Sequence, residues 1–146
     1  NLGVVFQGGG LWDHMSVIDN LRWALELKKS QLLAAGAQTV EKKIAEVSEL
    51  LSFRDCLQKK CSQLSGGEKS RVALARTFLT EAEFYILDEP FSGIDEKTKR
   101  QTIDFVKNNL RAKRSGCLLV THNSQEVMEL ATRQVIWEAQ DLCLDF

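Results

Sequence analysis

The chain has 146 residues, enough for one domain, and 44% hydrophobic with 27% charged residues is the balance of an ordinary globular protein. Nineteen basic against twenty acidic residues leave a net charge of −1, so no basic field argues for a nucleic-acid partner. No apolar run nears the ~18–20 residues of a membrane span and no signal peptide is apparent, while Cys56, Cys61, Cys117 and Cys143 form neither a C-x-x-C pair nor a cluster with histidine, so they read as thiols in a reducing compartment.

Residues 2–6 (LGVVF) read as a β-strand already under way at Asn1, as if the sequence started inside a fold. QGGGLWDHM follows and is a loop by its glycines. Ser16 with Asp19 forms a capping-box-like start to a helix through about Lys29, with Ile18, Leu21, Leu25 and Lys28 along one face. Gly36 punctuates the chain. A second amphipathic helix, TVEKKIAEVSELLS, then spaces Val40, Ile44, Val47 and Leu51 at helical intervals. Residues 54–63 read as a polar connector with at most a short helical turn.

From Ser65 the pattern changes. In SGGEKSRVALARTFL, Ser65 is a good N-cap and Glu68 stands three residues later, as a capping box requires. FYILDEP is a short apolar run ending in two acids and the lone proline, Pro90, and reads as a buried parallel strand. A long helix is predicted over about Glu96–Lys113, and SGCLLVTH is a second buried strand ending at His122. Ser124 is the expected cap of a helix EVMELA, and RQVIW is a final strand candidate. Strands alternating with helices indicate a parallel α/β sheet, preceded here by an all-helical insert of about 55 residues.

In an open parallel sheet, ligands sit beyond the carboxyl ends of the strands. Asp88 and Glu89 emerge there from one strand and His122 from another. An acid leaving an apolar strand can hold Mg²⁺, and a second can deprotonate or orient a water in phosphoryl transfer. Asp88–Glu89 before Pro90 could merely cap a turn; His122 on a second strand end and the capped glycine loop upstream favour a site.

Five ordered motifs carry a family resemblance: VFQ (Val5–Gln7), LSGGE (Leu64–Glu68), YILDEP (Tyr85–Pro90), SGID (Ser92–Asp95) and TH (Thr121, His122). Over nearly its whole length the chain resembles the ATP-binding subunit of an ABC transporter. The resemblance implies an incomplete P-loop NTPase-like α/β core, residues 1–10 and 64–146, with the all-helical subdomain of that family inserted at about 11–63. It implies ATP and Mg²⁺ as cofactors. Gln7 would reach the Mg²⁺ and the attacking water and couple nucleotide state to the membrane partner. Ser65, Gly66 and Gly67, with Glu68 where the family most often has Gln, would form the signature loop. Asp88 would be the acid near Mg²⁺, Glu89 the general base, His122 the switch residue at the γ-phosphate, and Asp95 part of the loop that crosses a dimer interface.

In that family the signature loop closes on ATP held by the opposing subunit. The physics suits the role, because Ser65 and the Gly66 and Gly67 amides open a helix whose N-terminus attracts anions. The 146 residues contain no G-x-x-x-x-G-K-[ST] loop, and Gly8–Gly10 lead into Leu11 and Trp12 with no lysine in place. The resemblance puts that loop, and the aromatic that stacks on adenine, before Asn1. The expectation is therefore a fragment without ATPase activity of its own, leaving exposed apolar sheet edge and helix faces that favour association.

The implied partners are a second ATPase subunit, transmembrane permease subunits and a solute-binding protein, with the chain peripheral on the cytoplasmic face of the inner or plasma membrane. GLWDHMSVIDNL resembles a run in polar amino-acid importers, which points to amino-acid import; DEPFSGID is more like subunits for other solutes, lipids included. The alternatives are a soluble translation-associated ATPase of the same superfamily, and a degenerate, non-catalytic interaction module. Trp12 and His14 either pack locally or touch a coupling helix of a partner, and Trp23 and Trp137 read as core or interface aromatics.

Overall fold

The computed structural model describes residues 1–26 and 37–136. Three strands, β1 (Leu2–Val5), β2 (Phe84–Asp88) and β3 (Gly116–Val120), make one parallel sheet in the order β1-β2-β3. Val5 lies opposite Leu87 and Asp88 opposite Val120, so the three carboxyl ends reach one edge. The helices are α1 (Val17–Glu26), α2 (Ala37–Leu50), α3 (Gly66–Leu79), α4 (Glu96–Lys113) and α5 (Ser124–Leu130).

Two apolar clusters organise the chain. Val17, Leu21 and Leu25 of α1, Ile44 and Val47 of α2, Leu51, Phe53, Cys56 and Cys61 pack on Val72 and Ala75 of α3. Val5, Tyr85, Leu87, Phe91, Ile103 and Val106 pack on Ala73, Leu74 and Phe78 of the same helix. Helix α3 thus divides its circumference between the two, which is why the consecutive residues Val72, Ala73, Leu74 and Ala75 are all buried rather than one stripe alone. Phe78 stacks on Tyr85 at 4.4 Å between ring centroids and meets Phe105 edge-on at 5.5 Å.

At α1 the capping-box-like start forms in part, with the Asp19 N–H donating to Ser16 Oγ at 3.2 Å and the Ser16 hydroxyl, rather than its backbone N–H, donating to the Asp19 carboxylate. Several expectations need correcting. The 54–63 connector folds as two 3₁₀ turns (Arg54–Cys56 and Cys61–Gln63) that bury Cys56 and Cys61, because the backbone must turn back under α1: Val17 N–H bonds Lys59 O and Cys61 N–H bonds Met15 O. Helix α5 is capped by Asn123, whose Oδ1 accepts from Gln125 N–H, one residue before the expected Ser124. Residues 133–136 are exposed and form no strand; Lys28, Lys29, Trp137 and Cys143 lie outside the described residues. Trp23 is not a core residue: it is largely exposed and meets Trp12 edge-on at 4.5 Å.

Strand β3 also differs from its expected burial. Partnered residues share a face of the sheet, and the face carrying Leu2, Phe84, Leu118 and Val120 is open to solvent, with Leu118 52% exposed. The opposite face, with Val5, Tyr85 and Leu87, is buried. On that side burial pushes the Cys117 thiol up to about 11. A parallel sheet is ordinarily covered on both faces. Here, among the described residues, helices cover one, and the exposed apolar surface is a sheet face, where the sequence led us to expect sheet edge and helix faces.

Candidate functional site

Two groups of residues singled out in the sequence meet in the structure. The first lies at the carboxyl edge of the sheet. Glu89, the residue after β2, keeps pairing with β3 through its N–H on Val120 O at 2.9 Å, yet its φ of 45° is left-handed. A non-glycine residue held there costs roughly 1–3 kcal/mol, which surrounding contacts must offset. Those contacts come from His122. Its backbone N–H donates to Glu89 Oε1 at 3.0 Å, and its ring Nδ1 lies 2.6 Å from the same oxygen. The Glu89 side chain is only 17% exposed while the imidazole is 87% exposed, so the acid is seated and the base stands in the open.

Asp88 is half-buried at the end of β2, on the uncovered face. Gln7 is exposed just beyond β1, at the same edge, in a loop that turns through a Gly9 N–H to Phe6 O bond and runs Gly8, Gly9 and Gly10 at positive φ. Among the described residues no hydrogen bond joins Gln7 to Asp88 or Glu89. Instead the loop is fastened to α3: Arg76 donates to Gly10 O at 2.9 Å and lies 4.8 Å over the Trp12 ring, and Lys69 pairs with Asp13 at 3.1 Å. Neither Arg76 nor Lys69 belongs to a motif, and a basic residue within a helix carries no local sign of the loop it will hold.

The second group sits at the start of α3. The capping box is complete, with Ser65 N–H donating to Glu68 Oε2 at 2.7 Å and Glu68 N–H to Ser65 Oγ at 3.3 Å. The Ser65 amide bond, with the Cys56 thiol donating to Oε1 at 3.1 Å, holds the Glu68 carboxyl below its ordinary range. Burial, reinforced by Glu68, pushes the Cys56 thiol up. The two glycines do different work. A side chain on Gly66, at the first helical position where N–H groups lack an intrahelical partner, would meet nothing within 4 Å. A Cβ on Gly67 would fall on Gly93 O, so a side chain there is excluded by a close backbone approach within the chain.

That contact joins the two groups. Ser70 Oγ donates to Ser92 O at 2.9 Å, beside the Gly67–Gly93 approach. The segment running from Glu89 through the turn closed by Ser92 N–H on Glu89 O ends at Asp95. Asp95 caps α4 by accepting from Thr98 N–H at 3.0 Å, and that bond holds its carboxyl low. One short loop therefore leads from the strand-edge acids past the start of α3 and on to the exposed start of α4.

As for hosts, the edge offers hard oxygen donors, the Asp88 carboxylate and the Gln7 amide oxygen, of the type Mg²⁺ takes when phosphates and water fill its remaining positions. The helix start offers amides to an anion. No segment offers the lysine-bearing phosphate loop.

Comparison with known proteins bears on this geometry. The family described as ABC transporter matches residues 1–92. A sulfate/thiosulfate import ATP-binding protein of Shewanella oneidensis is 33% identical over 135 residues, 92% of this chain and 36% of that protein. The sn-glycerol-3-phosphate import ATP-binding protein of Bartonella bacilliformis is 33% identical over 136 residues, 93% of this chain and 38% of its own length. The molybdate/tungstate import ATP-binding protein of Pyrococcus abyssi is 35% identical over 133 residues, 91% and 37%. The chain thus spans a little over a third of the length of these curated relatives. Among solved structures, the ATP-binding cassette MJ0796, as a dimer in a post-hydrolysis state bound to ADP and Pi, superposes with a TM-score of 0.75 at 24% identity, over 88% of this chain and 55% of that one. That likeness establishes the fold, an α/β parallel-sheet fragment of the P-loop NTPase type. The chain belongs to the ABC transporter family, within its ATP-binding domain.

Proposed function

We propose that this chain forms part of a subunit that hydrolyses ATP at a dimer interface and couples it to solute transport through membrane permeases. The observation that carries the reading is the Glu89–His122 pair at the carboxyl edge of the sheet, 2.6 Å between Oε1 and Nδ1, beside Asp88. In this reading Glu89 takes the proton from an attacking water. His122 holds the acid in place until nucleotide arrives and then turns its exposed ring to the γ-phosphate. Asp88 and Gln7 hold Mg²⁺, which when bound would neutralise the developing charge on the phosphates. Ser65 and Gly66 receive the γ-phosphate of ATP bound by a second ATPase subunit, and Asp95 meets that subunit across the interface. Gly67, through its close approach to Gly93, and Glu68, through the capping box, shape that loop.

The division at about 11–63 into a helical subdomain, flanked by core portions 1–10 and 64–146, is supported by the separate helical cluster around Leu21, Leu51 and Phe53. In the proposed assembly the chain lies on the cytoplasmic face of the membrane, bound there through its permeases, with a solute-binding protein as a further partner. Amino acids as the solute rest on the run Gly10–Leu21 alone. The relatives above are named for sulfate or thiosulfate, glycerol 3-phosphate, and molybdate or tungstate, so a small anion is the competing reading.

The test is ATP hydrolysis by the polypeptide as its native gene encodes it, with and without Glu89→Gln. Removing a general base costs roughly 10²–10⁴-fold, and hydrolysis surviving the substitution overturns the assignment. The 146-residue chain alone is expected to show no turnover above background. Copurification from cells discriminates the alternatives: a permease pair supports the transporter, ribosomes a translation factor, and neither an interaction module.

A further inference from the structure

Thr121 of the TH pair and three residues outside the named motifs, Lys99, Asn123 and Glu126, form a connected group behind His122. Glu126, on α5, is 4% exposed, unusual for a carboxylate. Its Oε2 accepts from the Thr121 hydroxyl at 2.7 Å, and its Oε1 lies 3.4 Å from Lys99 Nζ. The same Thr121 hydroxyl accepts the Asn123 N–H at 3.1 Å. The residues on both sides of His122 are thus tied to one oxygen, and that oxygen is oriented by one buried acid. Lys99, on the first turn of α4, has its own N–H on Asp95 O at 2.8 Å.

A buried charge is costly unless it is paired and hydrogen-bonded, and removing a partner leaves it exposed to that cost. Glu126 has both kinds of partner, and they lie on different elements. From this we infer that Glu126 is a positioning residue: through Thr121 it sets the backbone that presents His122 to Glu89, and through Lys99 it ties that backbone to the start of α4 at Asp95. The inference rests on the reading of Glu89 and His122 as catalytic groups. Its structural content does not, since the His122 imidazole is solvent-exposed and, among the described residues, His122 itself bonds only to Glu89.

The experiment is residue-resolved amide hydrogen exchange on the chain without nucleotide, comparing Thr121→Val, Thr121→Ser, Glu126→Gln and Lys99→Met. A lost side-chain hydrogen bond is worth about 0.5–1.5 kcal/mol net, so Thr121→Val should speed exchange at His122 and Asn123 about three- to tenfold while α5 amides stay protected. Thr121→Ser should restore the native rates. Glu126→Gln keeps an acceptor for Thr121 and should leave His122 slow. It should loosen the first turn of α4, as Lys99→Met should. Unchanged exchange at His122 and Asn123 in Thr121→Val overturns the proposal, as does uniform loosening of α5 with the loop, which would make Glu126 a packing staple. In the natively encoded enzyme, Thr121→Val should lower kcat about three- to tenfold at constant KM for ATP, and Thr121→Ser should recover it. If Glu89→Gln leaves hydrolysis intact, the catalytic reading fails while the exchange result still stands or falls by itself.

Discussion

The helical cluster and the sheet cluster share α3 but end differently. Around Leu21, Leu51 and Phe53 the chain closes on itself: α1, α2, the two 3₁₀ turns and α3 leave these side chains with essentially no exposed surface. On the sheet, Tyr85 and Leu87 are equally buried, but their strand neighbour Phe84 and the β3 residues Leu118 and Val120 look into solvent. A helix needs one covered stripe, and three helices can supply it to one another. A two-faced parallel sheet needs cover on both sides, and the described residues supply one. Among the described residues the helical part closes around its apolar side chains, whereas the sheet part keeps one apolar face open.

The largest effect expected from this contrast is on stability. Leu21→Ala in the closed cluster should cost about 2–5 kcal/mol, read from urea unfolding, whereas Leu118→Ala on the open face should stay within about 0.5 kcal/mol. Equal losses would break the comparison by showing that the sheet face is covered in solution. Next in size is the junction between the regions. Ser65→Ala removes the cap of α3 and should cost about 1 kcal/mol. The pH dependence has a definite sign there. The Glu68 carboxyl is held below its ordinary value by the Ser65 amide, so its contribution is present above the unfolded value of 4.5 and lost as pH falls through the folded one. Glu68→Gln should therefore flatten the acid limb of the stability curve, and a limb unchanged by it would remove Glu68 from the account. The smallest effect on stability, and the sharpest on behaviour, should come from Leu118→Lys: little change in unfolding midpoint, but reduced self-association in sedimentation velocity if the open face drives it.

Much of this was legible in residues with local signatures. Ser65 and Glu68 form the predicted box, the long helix runs over Glu96–Lys113, and β2 ends at Asp88 as its acids and Pro90 suggested. What escaped depended on distant partners. CLLV reads as buried because its residues are apolar, yet nothing in that run tells whether the other face of the sheet is covered. Val135 and Ile136 have strand-like composition but no neighbour to pair with among the described residues, and a strand without a ladder does not form. Asn123 displaced Ser124 as cap because the chain leaves β3 through the Thr121–Asn123 turn, one residue sooner than the hydroxyl signal suggested.

The sequence by itself determined the element types, the helix starts and the ordered motifs that identify the family, because caps, periodicity and strand-end acids are short-range chemistry. Only the tertiary structure decided what those motifs touch. It set the ring of His122 against Glu89, brought the Gly67 backbone against Gly93, and buried Glu126 between Thr121 and Lys99. The reason is geometric: parallel pairing brings together strand ends more than thirty residues apart, and no local pattern encodes which side chains then meet.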